Sequence, residues 1–321
     1  MTELGFNLLS ALVPIFAPLS LNSMSQITGT TKLLGVIGNP IAHSLSPVMH
    51  NAAIEYLGLD YRYVPFSVTP AHLATALDGF SAIGVVGCSV TIPHKQAIVP
   101  LLTEISPLAK AVGAVNTIWN TPTGWHGTNT DVAGFVSPLV AMKRDWAQTT
   151  VAILGNGGAA RAVVAGCHQL GCGNIHVFGR DAAKLAEFQS SWQDIRLTVD
   201  GDDSPRSVTI QTHLWDELAT FISQPNLLLV NSTPIGMYPD VEASPISAQM
   251  MQEIGAGSIA YDLIYTPRPT KFLQLATAQG MMAIDGVEML VQQGAIAFEL
   301  WLQQPAPSGI MRQTLLQHLK V

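Results

Sequence analysis

The chain has 321 residues, of which 48% are hydrophobic and only 12% are charged. An average soluble domain is about 25% charged, so much of this chain must be interior, and its length favours two domains because a single core stops growing at about 250 to 300 residues. The net charge of -7 and the pI near 5.6 argue against a nucleic-acid-binding protein, which needs a basic patch, but not against an anionic small-molecule ligand.

An apolar run at residues 6–21 raises the question of a signal peptide or a membrane span. Glu3 precedes it, prolines interrupt it at positions 14 and 18, and no Lys or Arg occurs before Lys32. It therefore lacks the positive region of a signal peptide and the length to span a bilayer. We interpret residues 1–31 as a poorly ordered extension without functional residues, with Met24 as an alternative start, and we expect no association with a membrane.

Apolar runs and amphipathic stretches alternate from Leu33 onwards. In the first half the pattern predicts strands at 34–37, 63–68 and 85–90 and helices at 47–57 and 70–79. From Thr150 it predicts strands at 151–154, 175–178, 227–230 and 259–263 and a last helix at 287–302. Such alternation is typical of an α/β protein with mainly parallel sheets and helices on both faces. The polar connector at 143–149 places a domain boundary near the helix after Asp131.

A glycine-rich turn follows the strand at 151–154. Gly155, Gly157 and Ala160 fit the pattern G-x-G-x-x-G/A, which lets the backbone approach a pyrophosphate at a helix N-terminus. A tight turn without a ligand would have the same pattern. The strand before it, the helix after it and the second strand at 175–178 favour a dinucleotide site.

The residues after that second strand bear on the choice of cofactor. Arg180 and Lys184 suit the 2′-phosphate of NADP, so NADP is predicted. Asp181 could accept from a free 2′-hydroxyl and repel a phosphate, which would permit some use of NAD. Alternatively, Asp181 only caps the following helix.

Lys95 needs an explanation because it stands in a region that is nearly free of charge. Between residues 33 and 131 the only other Lys or Arg residues are Arg62 and Lys110. Pro93 opens a predicted helix, and a cation in its first turn opposes the positive end of the helix dipole, so an anion should lie nearby.

Two further turns supply a carboxylate, Asp131, and an amide, Asn116. Asp131 could only cap the helix that begins at Val132, and Asn116 could only close its turn. Purely structural roles for both are disfavoured, because they leave Lys95 unexplained. Gln293 lies on an otherwise apolar stripe of the last helix, so its amide must meet either a domain contact or a ligand.

Two serines precede the first predicted helix. Ser46 and Pro47 form an N-cap and N1 pair. Hydroxyls at a helix N-terminus also suit a carboxylate, and Ser44, which the cap does not need, favours that function.

The cysteines, Cys88, Cys167 and Cys172, form no CxxC pair, which favours reduced thiols in a cytoplasmic protein. Cys167, His168, Cys172 and His176 could be considered as metal ligands. The apolar pattern of their helix and strand explains them as core residues, so no metal is predicted.

Seven ordered motifs carry a resemblance to one family. They are HSLSP at 43–47, SVTIPHK at 89–95, GAVNT at 113–117, NTD at 129–131, GNGGAAR at 155–161, NSTPIGM at 231–237 and DGVEMLVQQGAIAFELW at 285–301. With these motifs, residues 33–303 resemble the shikimate dehydrogenases of the chorismate pathway. The resemblance implies a substrate domain of residues 32–135 plus 288–321, a Rossmann NADP-binding domain of residues 136–287, and a C-terminal helix that returns to the first domain.

The resemblance also implies site residues. Ser44 and Ser46 would bind the substrate carboxylate. Around the ring hydroxyls and the reacting C3 oxygen it places Thr91, Lys95, Asn116, Asp131, Tyr265 and Gln293, with Lys95 and Asp131 as the catalytic pair. Against the cofactor it places Gly155, Asn156, Gly157, Gly158, Ala159, Gly179, Arg180, Asp181, Lys184, Leu263 and Gly286, the last two near the nicotinamide.

The implied activity is reversible, NADPH-dependent reduction of 3-dehydroshikimate to shikimate without a metal, in chorismate and aromatic amino-acid biosynthesis. The family's usual Asn-Arg-Thr is Gly179-Arg180-Asp181 here, and its later Arg is Lys184, which bears on the preference for NADP and not on the reaction. The two serines favour shikimate over quinate, which has an extra C1 hydroxyl.

Two alternatives stay open. One is a quinate/shikimate dehydrogenase that accepts NAD. The other is a non-catalytic nucleotide-binding regulator, which would be expected to lose Lys95 or Asp131, and both are present. A homodimer is compatible with the sequence, which does not determine the oligomeric state.

Overall fold

A computed structural model describes residues 26–199 and 202–319. The strands of this part of the chain form two large sheets and one small hairpin. In chain order they are β1 Lys32–Gly38, β2 Tyr61–Ser67, β3 Gly87–Val90, β4 Glu104–Ile105, β5 Thr117–Thr121, β6 Gly124–Thr128, β7 Thr150–Leu154, β8 Asn174–Gly179, β9 Arg196–Val199, β10 Asp202–Ser207, β11 Gln211–Leu214, β12 Leu227–Asn231, β13 Ile259–Asp262 and β14 Met282–Ile284.

The α-helices of the same residues alternate with these strands. They are α1 Ser46–Tyr56, α2 Leu73–Ala82, α3 His94–Ala97, α4 Pro107–Val112, α5 Asp131–Val140, α6 Gly158–Gln169, α7 Ala182–Ser190, α8 Leu218–Phe221, α9 Ala248–Gln252, α10 Lys271–Ala278, α11 Val287–Leu302 and α12 Ser308–His318. The predicted elements agree with them to within three residues at each end. The predicted helix at 70–79 is a 3-10 turn, Pro70–His72, followed by α2.

The first sheet has the strand order β2-β1-β3-β5-β6-β4. β1 pairs in parallel with β2 and β3, and β4 pairs in parallel with β6. β5 is antiparallel to both of its neighbours, β3 and β6. This β5-β6 hairpin was not predicted from the alternating pattern. Gly124, the first residue of β6 after the hairpin turn, has φ of +121°, which L side chains rarely adopt.

The second sheet has the order β11-β8-β7-β12-β13-β14, and all of its pairs are parallel. This is the Rossmann order 3-2-1-4-5-6, as predicted. β7 and β12 are buried along their whole lengths, which suits a sheet with helices on both faces. The strand order reverses between β7 and β12, and folds of this kind bind ligands beyond the carboxyl ends of such strands.

Helix α5 connects the two halves of the molecule. Val132 and Phe135 pack in one core with side chains of β7 and α6. On its other side, Gly134 lets α11 approach closely, because a Cβ there would lie 2.7 Å from the Met289 carbonyl oxygen and 3.0 Å from Gln293 Cβ. The predicted domain boundary after residue 135 falls inside this helix, and its position stays a prediction.

Helix α11 returns to the first sheet, as the resemblance implied. Trp301 Nε1 donates to the Ile118 carbonyl at 2.9 Å, and the indole occupies space that Gly87 leaves free in β3. Leu34 of β1 and Phe298 of α11 belong to one core cluster. The last helices therefore complete the core of the first sheet.

Residues 1–25 of the predicted extension lie outside the described residues. At its end, Thr30 and Thr31 donate from their hydroxyls to Asp60 at 2.5 and 2.6 Å. In the part of the chain that the structure describes, no helix has the length and apolar character needed to cross a membrane.

Candidate active site

Lys95 and Asp131 form an ion pair where the two halves of the molecule meet. Lys95 Nζ lies 2.5 Å from Asp131 Oδ2, and the two side chains are only 16% and 6% exposed. Lys95 lies in α3, just after β3, and Asp131 is the first residue of α5. Asp131 is thus the anion that the position of Lys95 predicted.

The pair is held in place by Asn116, which is 2% exposed and precedes β5. Its Nδ2 donates to Asp131 Oδ1 at 2.9 Å, and its Oδ1 accepts from the Thr130 amide at 2.7 Å. The Val115 amide donates to the Lys95 carbonyl at 2.8 Å. The turn that carries Asn116 is therefore bonded to both members of the pair.

Gln293 reaches this network from α11. Its Oε1 accepts from Asn116 Nδ2 at 3.3 Å, and its Nε2 donates to the Leu290 carbonyl at 2.8 Å. The side chain is 7% exposed, so both ends of a nearly buried amide have partners. The contact with Asn116 supports the predicted domain contact, and a role toward a ligand stays a prediction.

The capping function considered for Asp131 is not what the structure shows. Asn129 Oδ1 accepts from the Val132 amide at 3.3 Å, while the Asp131 carboxylate bonds Lys95 and Asn116. Asn129 also donates to the Ala114 carbonyl at 2.9 Å. Because Asn129 accepts from the first turn of the helix, the Asp131 carboxylate stays available for the site.

The predicted N-cap function of Ser46 is wrong. Helix α1 begins at Ser46 itself, with Leu45 at the capping position and no side-chain cap bond. The Ser46 amide donates to Ser44 Oγ at 3.4 Å, so the two serines contact each other at the helix start. Both residues stay candidates for a carboxylate site.

Two further predicted substrate residues lie near these loops. Thr91 follows β3, and its methyl group occupies the space beside Gly38, where a Cβ would lie 2.6 Å from it. Tyr265 lies in the loop after β13 and, like Leu45, packs against the core of the first sheet, and burial raises its pKa. Tyr265 therefore extends from the second half of the chain to the core of the first sheet.

The glycine-rich turn lies beside Lys95. A Cβ on Gly158 would lie 3.5 Å from Lys95 Cβ and 3.6 Å from its Cδ. Gly155 has φ of +104°, which requires glycine, and nothing lies within 4 Å of a Cβ built on Gly157. The backbone of the turn is accordingly open to a ligand, with Asn156 and Ala159 in the same segment between β7 and α6.

The residues predicted to discriminate between cofactors lie at the end of β8. Gly179 is buried, and Arg180, Asp181 and Lys184 are exposed. Asp181 Oδ1 accepts from the Ala183 and Lys184 amides at 3.0 and 3.1 Å. Asp181 does cap α7, as one of the alternatives predicted, so one of its carboxylate oxygens is engaged.

Leu263 and Gly286, predicted near the nicotinamide, adjoin each other. A Cβ on Gly286 would overlap the Leu263 carbonyl oxygen, so only glycine allows this approach. The loop is held from beneath by the buried Asp262, which accepts from Asn231 at 3.0 Å and from Thr270 at 2.6 Å. Burial raises the pKa of Asp262 to about 7.

Within the described residues no group of His, Cys, Asp or Glu is arranged to hold a metal ion. Cys88, Cys167 and Cys172 are buried and free. The positions considered as metal ligands, Cys167, His168, Cys172 and His176, are all buried in the second half of the chain.

Comparison with known proteins agrees with this geometry. Residues 36–118 match the model of the shikimate dehydrogenase substrate binding domain, and residues 286–316 match that of the shikimate 5'-dehydrogenase C-terminal domain. Over 296 residues the chain is 59% identical to the shikimate dehydrogenase (NADP(+)) of Trichormus variabilis. The aligned residues cover 92% of this chain and 99% of that protein. The chain belongs to the shikimate dehydrogenase family.

Solved structures share the fold. The shikimate 5-dehydrogenase of Listeria monocytogenes, in complex with shikimate and NAD, is 32% identical with a TM-score of 0.76, covering 91% of this chain and 99% of that one. The 5-ketofructose reductase of a Gluconobacter strain is 30% identical with a TM-score of 0.72, covering 91% and 100%. The fold of the shikimate dehydrogenase family is therefore shared with a reductase that is named for a different substrate.

The sequence analysis missed some supporting residues of this shikimate dehydrogenase site. Arg161 of α6 donates from Nε to the Val112 carbonyl and from a terminal nitrogen to Ser191 Oγ at 2.9 Å, which ties the nucleotide helix to the turn before Asn116. The available signal was a single arginine among the small and apolar residues of the first turns of α6. Thr130, which is 2% exposed and bonds Asn116, gave no such signal.

Proposed function

We propose that the protein catalyses the reversible reduction of 3-dehydroshikimate to shikimate with NADPH, in the biosynthesis of chorismate and aromatic amino acids. The observation that carries the proposal is the ion pair of Lys95 and Asp131, which Asn116 holds beside the glycine-rich turn. The relative named for NADP and the structure that contains shikimate support the cofactor and the substrate.

In this proposal Lys95 acts on the C3 oxygen of the substrate. That oxygen gains negative charge as the carbonyl is reduced, so it needs a nearby cation and a proton. An ammonium group has three hydrogens, and a bond to Asp131 leaves hydrogens for the substrate oxygen. Asp131 fixes the ammonium group, and in the reverse direction the pair receives the proton of the C3 hydroxyl.

The proposed substrate contacts surround this pair. Ser44 and Ser46 hold the carboxylate, while Thr91, Asn116, Tyr265 and Gln293 face the ring hydroxyls. A neutral hydroxyl at C1, as in quinate, has no assigned partner among them, so shikimate is favoured. Burial of the pair would strengthen its interaction with a developing charge, because the local dielectric is low.

Bound NADPH supplies the hydride. The open backbone at Gly157, the residue before α6, fits a pyrophosphate at the N-terminus of that helix. Arg180 and Lys184 are assigned to the 2′-phosphate, and Leu263 and Gly286 to the nicotinamide. The remaining cofactor contacts are assigned to Asn156, Gly158 and Ala159 of the glycine-rich turn and to Gly179 and Asp181 at the end of β8.

The test is the initial rate of NADP and NAD reduction, measured side by side with shikimate and with quinate. Rapid NADP reduction with shikimate alone is expected. Comparable rates with NAD or quinate would favour a quinate/shikimate dehydrogenase instead. NADPH oxidation that is faster with 5-ketofructose than with 3-dehydroshikimate would overturn the assigned substrate, and no turnover at all would favour the regulator.

The cellular setting is part of the same proposal. The free, buried cysteines suit a reduced compartment, and we assign the protein to the cytoplasm. A homodimer stays a prediction, which sedimentation velocity over a range of protein concentrations would check.

A further inference from the structure

Arg161 is a buried cation at the start of the nucleotide helix. It is the fourth residue of α6, one turn after the helix begins, and it is 7% exposed. Its guanidinium carbon lies 5.3 Å from the ring centroid of Phe188 and 5.2 Å from that of Trp192. Burying a charge is costly, and an apolar side chain beside these two rings would avoid that cost. The hydrogen bonds of the guanidinium group therefore bear on why an arginine is present.

Those hydrogen bonds extend in two directions. Nε donates to the carbonyl of Val112, the last residue of α4, and Nη1 donates to Ser191 Oγ at 2.9 Å. After α4 the chain turns at Gly113, where φ is +66° and a Cβ would lie 2.8 Å from Nη2 of Arg161. The guanidinium group therefore holds the end of α4 and lies close to the turn that follows.

The turn after α4 holds both members of the ion pair. The Val115 amide donates to the Lys95 carbonyl at 2.8 Å. Asn116 Nδ2 donates to Asp131 Oδ1 at 2.9 Å. The arginine side chain thus connects the nucleotide helix to the turn that fixes the ion pair.

In the proposed function, the two ends of this connection carry the two reactants. The pyrophosphate of the cofactor binds at the N-terminus of α6, so the position of α6 determines where the nicotinamide lies. The C3 oxygen of the substrate binds Lys95, so the position of the turn determines where C3 lies. Hydride transfer requires the two carbons to be about 3 to 3.5 Å apart, and a misplacement on the order of 1 Å can lower the rate about a hundredfold.

We propose that Arg161 is a positioning residue for hydride transfer. By holding α6 against the turn after α4, it sets the distance between the nicotinamide C4 and the substrate C3. It acts through Lys95 and the glycine-rich turn and is assigned no contact with either reactant. The inference rests on the proposed function, because it takes Lys95 as the ligand of the C3 oxygen and the start of α6 as the cofactor site.

The experiment is steady-state kinetics of shikimate oxidation by NADP with Arg161→Met, whose unbranched side chain can pack on the two rings but donates no hydrogen bond. In this direction the C3–H bond breaks, its hydride goes to the nicotinamide, and the hydroxyl proton goes to the ion pair. The kcat per folded molecule should fall about ten- to a hundredfold, while both KM values stay within about twofold. With shikimate deuterated at C3, the isotope effects on kcat and on kcat/KM should become equal, because hydride transfer then limits both.

Ser191→Ala is the matched control. It removes the other hydrogen bond of the same guanidinium group and leaves the bond to Val112 intact. It should leave kcat and the isotope effects unchanged, whatever it costs in stability. Arg161→Lys restores a charged donor without the planar fork of arginine, so its kcat should lie between those of Arg161→Met and the wild type.

A second pair of substitutions tests the same contact, also in the case that Arg161→Met does not fold. Gly113→Ala places a methyl group 2.8 Å from Nη2 of Arg161 and so displaces the turn. Gly84→Ala has a similar backbone strain, since φ is +72° after α2, but nothing lies within 4 Å of its methyl group. Gly113→Ala should lower kcat and make the two isotope effects equal, and Gly84→Ala should leave both as in the wild type.

The wild-type protein is assayed first. Absence of shikimate turnover would overturn the proposed function together with this inference. Normal turnover in the wild type with a nearly unchanged kcat in Arg161→Met or Gly113→Ala would overturn the inference alone. The same holds if Ser191→Ala lowers kcat as much as Arg161→Met, or if Arg161→Met raises a KM and leaves kcat and the isotope effects unchanged.

Discussion

The ammonium group of Lys95 is fixed within the candidate site. It is held by one carboxylate, and the Lys95 carbonyl accepts from the Val115 amide, so both the side chain and the backbone of this residue are fixed. A fixed cation costs little reorganisation when charge develops on a substrate oxygen.

Lys95→Ala should therefore lower kcat about a thousandfold, within the range typical of a lost general acid, with a modest change in the KM for shikimate. Lys110→Ala, which removes an exposed lysine from α4, is the control and should leave both parameters unchanged. Steady-state kinetics with shikimate and NADP provide the measurement. A Lys95→Ala enzyme with both parameters near wild type would remove this residue from the mechanism.

Asp262 predicts a pH dependence of stability. Burial raises its pKa in the folded state to about 7, above the 3.8 of an unperturbed carboxyl. The folded state therefore retains a proton that the unfolded state releases. The resulting stabilisation is complete below about pH 4 and is lost as the pH rises to about 7, by about 4 kcal/mol at most.

The measurement is urea unfolding of the wild type and of Asp262→Asn at a series of pH values. Their difference in free energy of unfolding should change between pH 4 and 7 and level off above. His50 acts in the opposite direction, since burial lowers its pKa to about 3 and its stabilisation is lost as the pH falls below about 6.5. It is present in both proteins and cancels in the difference, so a pH-independent difference would contradict the prediction.

At the scale of an element, Asp181 caps the start of α7 and also bears on the choice between NADP and NAD. Asp181 accepts from two amides of the first turn, and its charge lies where a 2′-phosphate is proposed. A cap requires an oxygen acceptor, whereas repulsion of a phosphate requires a negative charge. The two functions are therefore separable by substitution.

Asp181→Ser keeps a cap and removes the charge, and Asp181→Ala removes both. Both variants should raise the ratio of kcat/KM for NADP over NAD about fivefold, as expected for an exposed charge interaction of about 1 kcal/mol. Only Asp181→Ala should lose stability, by about 1 kcal/mol in thermal or urea unfolding. If Asp181→Ser leaves the ratio of kcat/KM for NADP over NAD unchanged, Asp181 caps the helix and does not influence the choice of cofactor.

Across the whole molecule, the contact between α5 and α11 brings the second half of the chain to the site. Gly134→Ala should force these helices apart, because the added Cβ meets a backbone carbonyl at 2.7 Å. We expect a loss of about 1 to 3 kcal/mol in stability and a higher KM for shikimate, since Gln293 would move from Asn116. Unfolding and kinetic measurements check both.

Gly79→Ala is the matched control for this substitution. Gly79 lies within α2 with open space around its Cβ position, so alanine should stabilise the protein by about 0.5 to 1 kcal/mol and leave the KM unchanged. If Gly134→Ala behaves like Gly79→Ala, the close approach of the helices does not determine the geometry of the site.

Local patterns predicted the second sheet because its strands are continuous apolar runs, and the scarcity of charge singled out Lys95. Such patterns could not predict that Gln293 contacts Asn116, because the two residues are 177 positions apart in the chain. The N-cap function of Ser46 was misassigned, and the cap considered for Asp131 is absent, for a related reason. Ser44 accepts from the Ser46 amide, and Asn129 accepts from the Val132 amide. Only the three-dimensional path of each loop determines which side chain contacts the amide at the helix start.

The return of α11 and α12 to the first sheet has a consequence for the newly made chain. Phe298, Trp301, Met311 and Leu315 belong to the same core as Leu34 of β1, yet they are translated after every strand of both sheets. Until they leave the ribosome, the space beside Gly87 is unfilled and an apolar face of the first sheet stays open to water. The second sheet is contiguous in the chain, so all of its strands leave the ribosome before the helices that complete the core of the first sheet.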